Sequence, residues 1–135
     1  MFIGALNRAL EEIQNSISMY RVGAVIFKGR RILSSGHNEH RPYSSISLKY
    51  RNLNTTHAEQ SAIFSIKDWS KIKGCSILII RANSSGRLSL GYPCPMCQEV
   101  INHVGINKVY FSNRKGEISF VRTQELNPKM YGRIK

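Results

Sequence analysis

Two short motifs constrain this chain more than any other feature: His57-Ala58-Glu59, and further on Tyr92-Pro93-Cys94-Pro95-Met96-Cys97. A Cys-x-x-Cys pair that opens a helix places both sulfurs in its first turn, where two thiolates reach one metal ion. An imidazole from His57 would add a third ligand and leave a fourth position open. That is the pattern of a catalytic site; structural sites are closed by four protein ligands. Residues i and i+2 do not share a helix face. His57 and Glu59 therefore converge on one ion only if the metal lies off the end of a helix that starts beside them. The chain must bring two helix N-termini together, and their positive dipole ends would favour thiolates and hydroxide.

The donor types select the metal. Cys94 and Cys97 offer soft thiolates and His57 a neutral imidazole, a set that suits Zn2+. Zinc lowers the pKa of a bound water to roughly 7 and so creates a nucleophile at neutral pH. Glu59 is then the natural proton shuttle between that water and a substrate ring. Each motif alone has a plainer reading. Thr56 with Glu59 matches a capping box, His57 could be an ordinary histidine, and the cysteine pair could be a redox couple. Their joint occurrence at two helix starts favours the metal. His37 or His40 as a fourth ligand would make the site structural. His103 lies six residues past Cys97, about 240° around a helix, and faces elsewhere. Cys75 opens an apolar run and reads as a packed, inert thiol.

The remaining periodicities supply the frame. Phe2, Ile3, Leu6, Leu10 and Ile13 predict an amphipathic helix over residues 2–15. Residues 22–27 and 31–35 flank a Gly-containing turn and predict a hairpin. Residues 36–55 read as a long polar loop, and a helix is expected over 56–66. Cys75 to Ala82 is continuously apolar, as in a strand buried on both faces. After a loop over 83–93, Pro95 suits the first position of a helix that Gly105 ends. Strands follow over 108–112 and 117–123 around a turn at 113–116, then a basic tail from Gln124. Strand–helix–strand units favour parallel pairing, whereas the first and last strand pairs are joined too tightly to be anything but antiparallel. The expectation is a single three-layer α/β/α domain over 1–135 with a mixed five-stranded sheet.

Composition narrows the partners. Twenty Lys and Arg against eight acids give a net charge of +12, a field that attracts phosphate-bearing ligands. No apolar run approaches the length of a membrane span, and residues 1–12 lack a signal-peptide core. The expected location is cytoplasmic, with no membrane partner.

On His57-Ala58-Glu59, Pro93-Cys94-Pro95-Met96-Cys97, Gly36-His37-Asn38 and Gly105-Ile106-Asn107-Lys108-Val109-Tyr110, the chain resembles the cytidine/deoxycytidylate deaminase superfamily of zinc-dependent nucleobase deaminases. The order of elements is similar to that family's fold over about residues 2–123. The resemblance implies that His57, Cys94 and Cys97 bind zinc and that Glu59 shuttles protons. It also implies that Asn38 contacts the sugar and that the Ala58 N–H holds the base carbonyl. Tyr92 and Pro93, just before the first cysteine, are expected to bind substrate. The first ligand is His, as in deoxycytidylate, tRNA-adenosine and polynucleotide deaminases. The tight final hairpin is instead similar to that of cytidine deaminases. The most similar type is the small phage or bacterial deoxycytidylate-like deaminase, and the resemblance suggests a homo-oligomer.

The expected reaction is conversion of cytosine to uracil in a (deoxy)cytidine nucleoside or nucleotide. An alternative substrate is cytosine, or adenine, within single-stranded nucleic acid. Tyr43, Tyr50 and Tyr92, beside Arg41, Lys49 and Arg51, could supply its stacking and phosphate contacts. A third reading, a zinc-stabilised binding module, requires four protein ligands.

Overall fold

A computed structural model describes residues 3–16, 20–39 and 57–129. Helix α1 (Ile3–Asn15) leads into strands β1 (Arg21–Lys28) and β2 (Arg31–His37), then α2 (Ala58–Phe64), β3 (Ser76–Ala82), β4 (Leu88–Ser89), α3 (Pro95–His103), β5 (Lys108–Ser112) and β6 (Ile118–Arg122). Short 3-10 turns at Trp69–Lys71 and Thr123–Glu125 complete the described elements. The sheet runs β2-β1-β3-β5-β6. β3 and β5 are parallel, as the intervening crossover helix requires, and the other neighbouring pairs are antiparallel. Both expected hairpins are present. Their turns hold Gly29 at φ +60° and Gly116 at φ +80°, a conformation that glycine enters without Cβ strain.

The sheet has a helical layer on each side, and strand alternation sorts its side chains between them. Ala5, Ala9 and Ile13 of α1 bury against Val25, Phe27, Leu78 and Ile80. On the opposite face Ala58, Ala62 and Ile63 of α2 and Val100 and Ile101 of α3 pack on Ala24, Ile26, Ile77, Ile79 and Val109. No helix among the described residues is long and apolar enough to cross a membrane.

Three details depart from the expectations. A sixth strand, β4, pairs with β3 inside the segment read as a loop; two residues are too few for a period to show. β2 continues to His37 instead of ending at Ser35. Helix α2 is capped at His57 rather than Thr56 and ends at Phe64. Gln60 Oε1, not the Glu59 carboxylate, accepts the cap N–H at 3.4 Å, which leaves Glu59 free of capping. Thr56, His40 and the expected contacts Arg41, Tyr43, Lys49, Tyr50 and Arg51 lie outside the described residues.

Candidate metal centre

Close packing of α2 on the sheet positions His57. Gly36 of β2 lies directly beneath α2, and a Cβ there would stand 2.7 Å from the Ala62 nitrogen. Ser34 Oγ donates to the Ala62 carbonyl at 2.6 Å. With its Ala62 nitrogen over Gly36 and its Ala62 carbonyl over Ser34, α2 runs antiparallel to β2 and points its N-terminus towards Asn38. Helix α3 begins where Pro95 occupies the first helical position and Cys94 is the N-cap. Gly91, whose Cβ would meet the Ile79 carbonyl at 2.8 Å, lets the preceding strand approach β3 this closely.

The two N-termini meet. His57 Nδ1 lies 3.2 Å from Cys97 Sγ and 3.4 Å from Cys94 Sγ. One ligand atom from each of the three residues lies within 4.8 Å of the others. Tetrahedral zinc, with N and S ligands at about 2.0–2.3 Å, separates its ligand atoms by roughly 3.5–3.8 Å. The donor set and spacing therefore fit zinc with little rearrangement. No fourth protein ligand joins the group among the described residues. His37 instead meets Glu12 at 2.8 Å and Glu39 at 3.5 Å. The ring of His103 stands edge-on to Trp69, 6.2 Å between centroids.

The electrostatics carry the imprint of a cation site. Hydrogen bonding to Cys94 pushes His57 up to about 9 against the pull of burial. A hydrogen bond from Cys97, aided by His57, holds Cys94 down to about 4. Cys97 is driven well above the usual thiol range by its hydrogen bond to Cys94 and by burial. A thiolate–imidazolium pair thus forms readily, but two thiolates with a neutral imidazole need a positive charge among them. Glu59 is only 5% exposed. Burial raises its carboxyl, opposed chiefly by His57, and it shares a hydrogen bond with Cys97. Cys75 is fully buried, its thiol donating to the Lys71 carbonyl at 3.4 Å, and burial pushes it up too.

The residues expected to bind substrate are placed as follows. Ala58 is the first residue of α2, so its N–H is one of those a helix leaves without an internal partner. Asn38 Oδ1 accepts from the Val22 N–H and the Ser16 hydroxyl, and its Nδ2 donates to the Tyr20 carbonyl. This amide fastens the entry of β1 to the end of β2. The expected sugar contact would be additional to those bonds. Tyr92 is a core residue: its ring stands edge-on to Phe111 at 5.2 Å and its hydroxyl accepts from the Asn127 N–H. Pro93 is buried and offers its carbonyl to Gln98 Nε2 at 2.9 Å. Sequence reasoning missed Gln98. It sits one turn after Cys94, is 5% exposed, and braces both the Pro93 and Asn127 carbonyls. A polar side chain at that spacing from the ligand was the available signal.

Comparison with known proteins places this centre. Residues 4–113 match the cytidine and deoxycytidylate deaminase zinc-binding region. An uncharacterised deaminase from the luxG 3′ region of Aliivibrio fischeri is 37% identical over 97 residues, which are 67% of this chain. The chain spans only 56% of that relative's length. Among solved structures, a dCMP deaminase from the cyanophage S-TIM5 is 26% identical with a TM-score of 0.56, covering 82% of this chain and 81% of that one. A cytidine deaminase from Burkholderia pseudomallei shares the fold at a TM-score of 0.66, with 19% identity over 93% of this chain and 94% of the other.

Proposed function

The chain belongs to the cytidine and deoxycytidylate deaminase zinc-binding family, and from that membership we propose that it hydrolyses the amine of cytosine in a (deoxy)cytidine nucleoside or nucleotide, converting the base to uracil in place and releasing ammonia. The observation that carries this reading is the convergence of His57, Cys94 and Cys97 with a buried carboxyl, Glu59, two residues from the first ligand. Zinc, when bound by the three ligands, supplies Lewis-acid activation of water. Glu59 takes a proton from the attacking water, places it on the ring nitrogen, and delivers the second proton to the departing amine. Its burial keeps the carboxyl from exchanging those protons with bulk water. The Ala58 N–H, at the positive end of α2, orients the base through its carbonyl oxygen. Asn38 fastens the end of β2 to the entry of β1 by binding Tyr20 and Val22.

Substituting Glu59→Gln preserves shape and removes the proton carrier. Turnover is expected to fall by about 10²–10⁴-fold while zinc stays bound at one per chain. Near-normal activity in that variant would overturn the assignment. The charge of +12 favours a phosphate-bearing substrate, which leaves single-stranded nucleic acid as the second reading. A competition assay separates the two. Cytidine, deoxycytidine, their monophosphates and a cytosine-containing oligonucleotide are presented together, and each product is followed by mass.

A further inference from the structure

Helix α1 covers only part of its side of the sheet. It packs chiefly on β1, β2 and β3, and β5 and β6 lie beyond β3 in the strand order. On that outer part strand alternation sets Lys108 and Tyr110 of β5 directly beside Arg122 and Phe120 of β6. Phe120 is 49% exposed, a large apolar ring in the middle of a strand. Tyr110 stacks against it, with centroids 5.4 Å apart and planes inclined by 29°. Phe27 of β1 meets Tyr110 at 5.9 Å, with the small Ser76 on the strand between them. At Phe27 the row of rings reaches a cavity of about 380 Å³, lined also by Ile3, Ile32 and Arg30.

The charges beside the rings are positive. Lys108 and Arg122 are direct cross-strand partners, and both are exposed. Like charges placed opposite one another destabilise a strand pair. The ion pairs among the described residues are those of His37, and Glu125 turns its carboxylate to the Arg122 backbone N–H at 2.8 Å. An anion lying between the two cations would relieve their repulsion. Lys108 Nζ stands 6.0 Å from the Phe120 centroid, the outer limit of a cation–π contact. A flat ligand that took its place over the ring would release the ammonium for that anion. A second copy of this chain fits poorly, because at +12 per chain it would set the same cations against each other. The chain after β6 turns to the opposite side, where Asn127 bonds Tyr92 and Gln98.

We propose that this face, formed by Phe120, Tyr110, Lys108 and Arg122 and continued by Phe27 to the cavity, binds single-stranded nucleic acid at a site separate from the metal centre. The metal ligands stand at the N-termini of α2 and α3, across the sheet from these rings. Exposed rings flanked by cations match a strand whose bases stack and whose phosphates pair with Lys and Arg. Sheet faces with surface aromatics take up two or three bases in this way. An acidic peptide would use the cations and leave the rings without a partner. Stacking and phosphate pairing do not read the 2′-hydroxyl, so RNA and DNA should bind alike.

The test is fluorescence anisotropy of a labelled oligothymidylate titrated with the zinc-loaded full chain. Thymine has no exocyclic amine, so the probe offers the metal centre nothing to deaminate. Phe120→Leu keeps an apolar side chain and removes the ring; it should weaken binding about fivefold to a hundredfold, and Phe120→Tyr should restore it. Lys108→Gln and Arg122→Gln should each flatten the dependence of log affinity on log salt by about 0.7. Zinc content and turnover of a free nucleoside should stay at wild-type values in all four variants. No binding by wild type, or wild-type affinity in Phe120→Leu, would overturn the proposal. So would equal binding of polyaspartate or of anionic phosphatidylserine vesicles, which would make the face a general anion site. A wild-type dimer in sedimentation that Phe120→Leu dissociates would overturn it in favour of self-association.

Discussion

Replacing Gly36 by alanine tests how the sheet sets the metal centre. An added Cβ would meet the Ala62 nitrogen, Ser61 Cβ and Ser61 Oγ, each at 2.7 Å. Two of these atoms are fixed by the helix itself, so relief requires α2 to lift from β2 as a body. Reaching ordinary contact means a displacement of about 0.7 Å, and metal ligands tolerate only about 0.2 Å. His57, the N-cap of that helix, moves with it, while Cys94 and Cys97 stay with α3.

Overpacking costs about 1–3 kcal/mol, and the stiffer unfolded chain returns about 0.4–1 kcal/mol. A net loss of about 1–2 kcal/mol corresponds to a melting shift of about 4–7 °C for a domain of this size. Zinc affinity should fall by about 10–100-fold, as when a metal ligand's support is removed. Gly23→Ala is the matched control. Its Cβ would stand 2.5 Å from the Ala9 carbonyl, so the strain falls between β1 and α1 on the opposite face. The assay is zinc competition against a chromophoric chelator, with melts in zinc and in EDTA. If Gly36→Ala keeps wild-type zinc affinity, or if Gly23→Ala loses it equally, the rigid coupling of β2 to His57 is wrong.

Two further outcomes follow from the same geometry. Between about pH 4 and pH 9, the limits marked by Cys94 and His57, the His57 imidazolium and the Cys97 thiol each hold a proton and Cys94 holds none. Zinc must displace those protons, so its apparent affinity rises with pH across that window, by up to about two decades per unit; calorimetry in buffers of different ionisation enthalpy counts the protons, and release of none would refute the charge assignment. Substituting Tyr92→Phe removes the acceptor of the Asn127 N–H at a cost of about 1 kcal/mol. Amide exchange should quicken at Asn127 while KM is unchanged; an altered KM would instead restore Tyr92 to the substrate pocket.

The amino-acid sequence by itself determined the chemistry and the layers. Metal ligation depends on residue type and short spacing, and both are local: His57 next to a helix start, Cys94 and Cys97 within one turn. The apolar periods of residues 3–13 and 75–82 marked a helix and a buried strand without reference to partners, and two tight turns left only antiparallel hairpins. The cap of α2 lies at His57, where Gln60 Oε1 accepts the cap N–H, although Thr56-Glu59 is the stronger local capping pattern. Roles that depend on what lies across the sheet were beyond sequence. Asn38 acquired its bonds from Tyr20, Val22 and Ser16, and Tyr92 turned its hydroxyl to Asn127. The pairing of Arg81 with Ser89 exists only because a two-residue strand aligns with β3 in one register. Register is settled by long-range hydrogen bonds and by the face each side chain must bury, and no run of neighbouring residues encodes those.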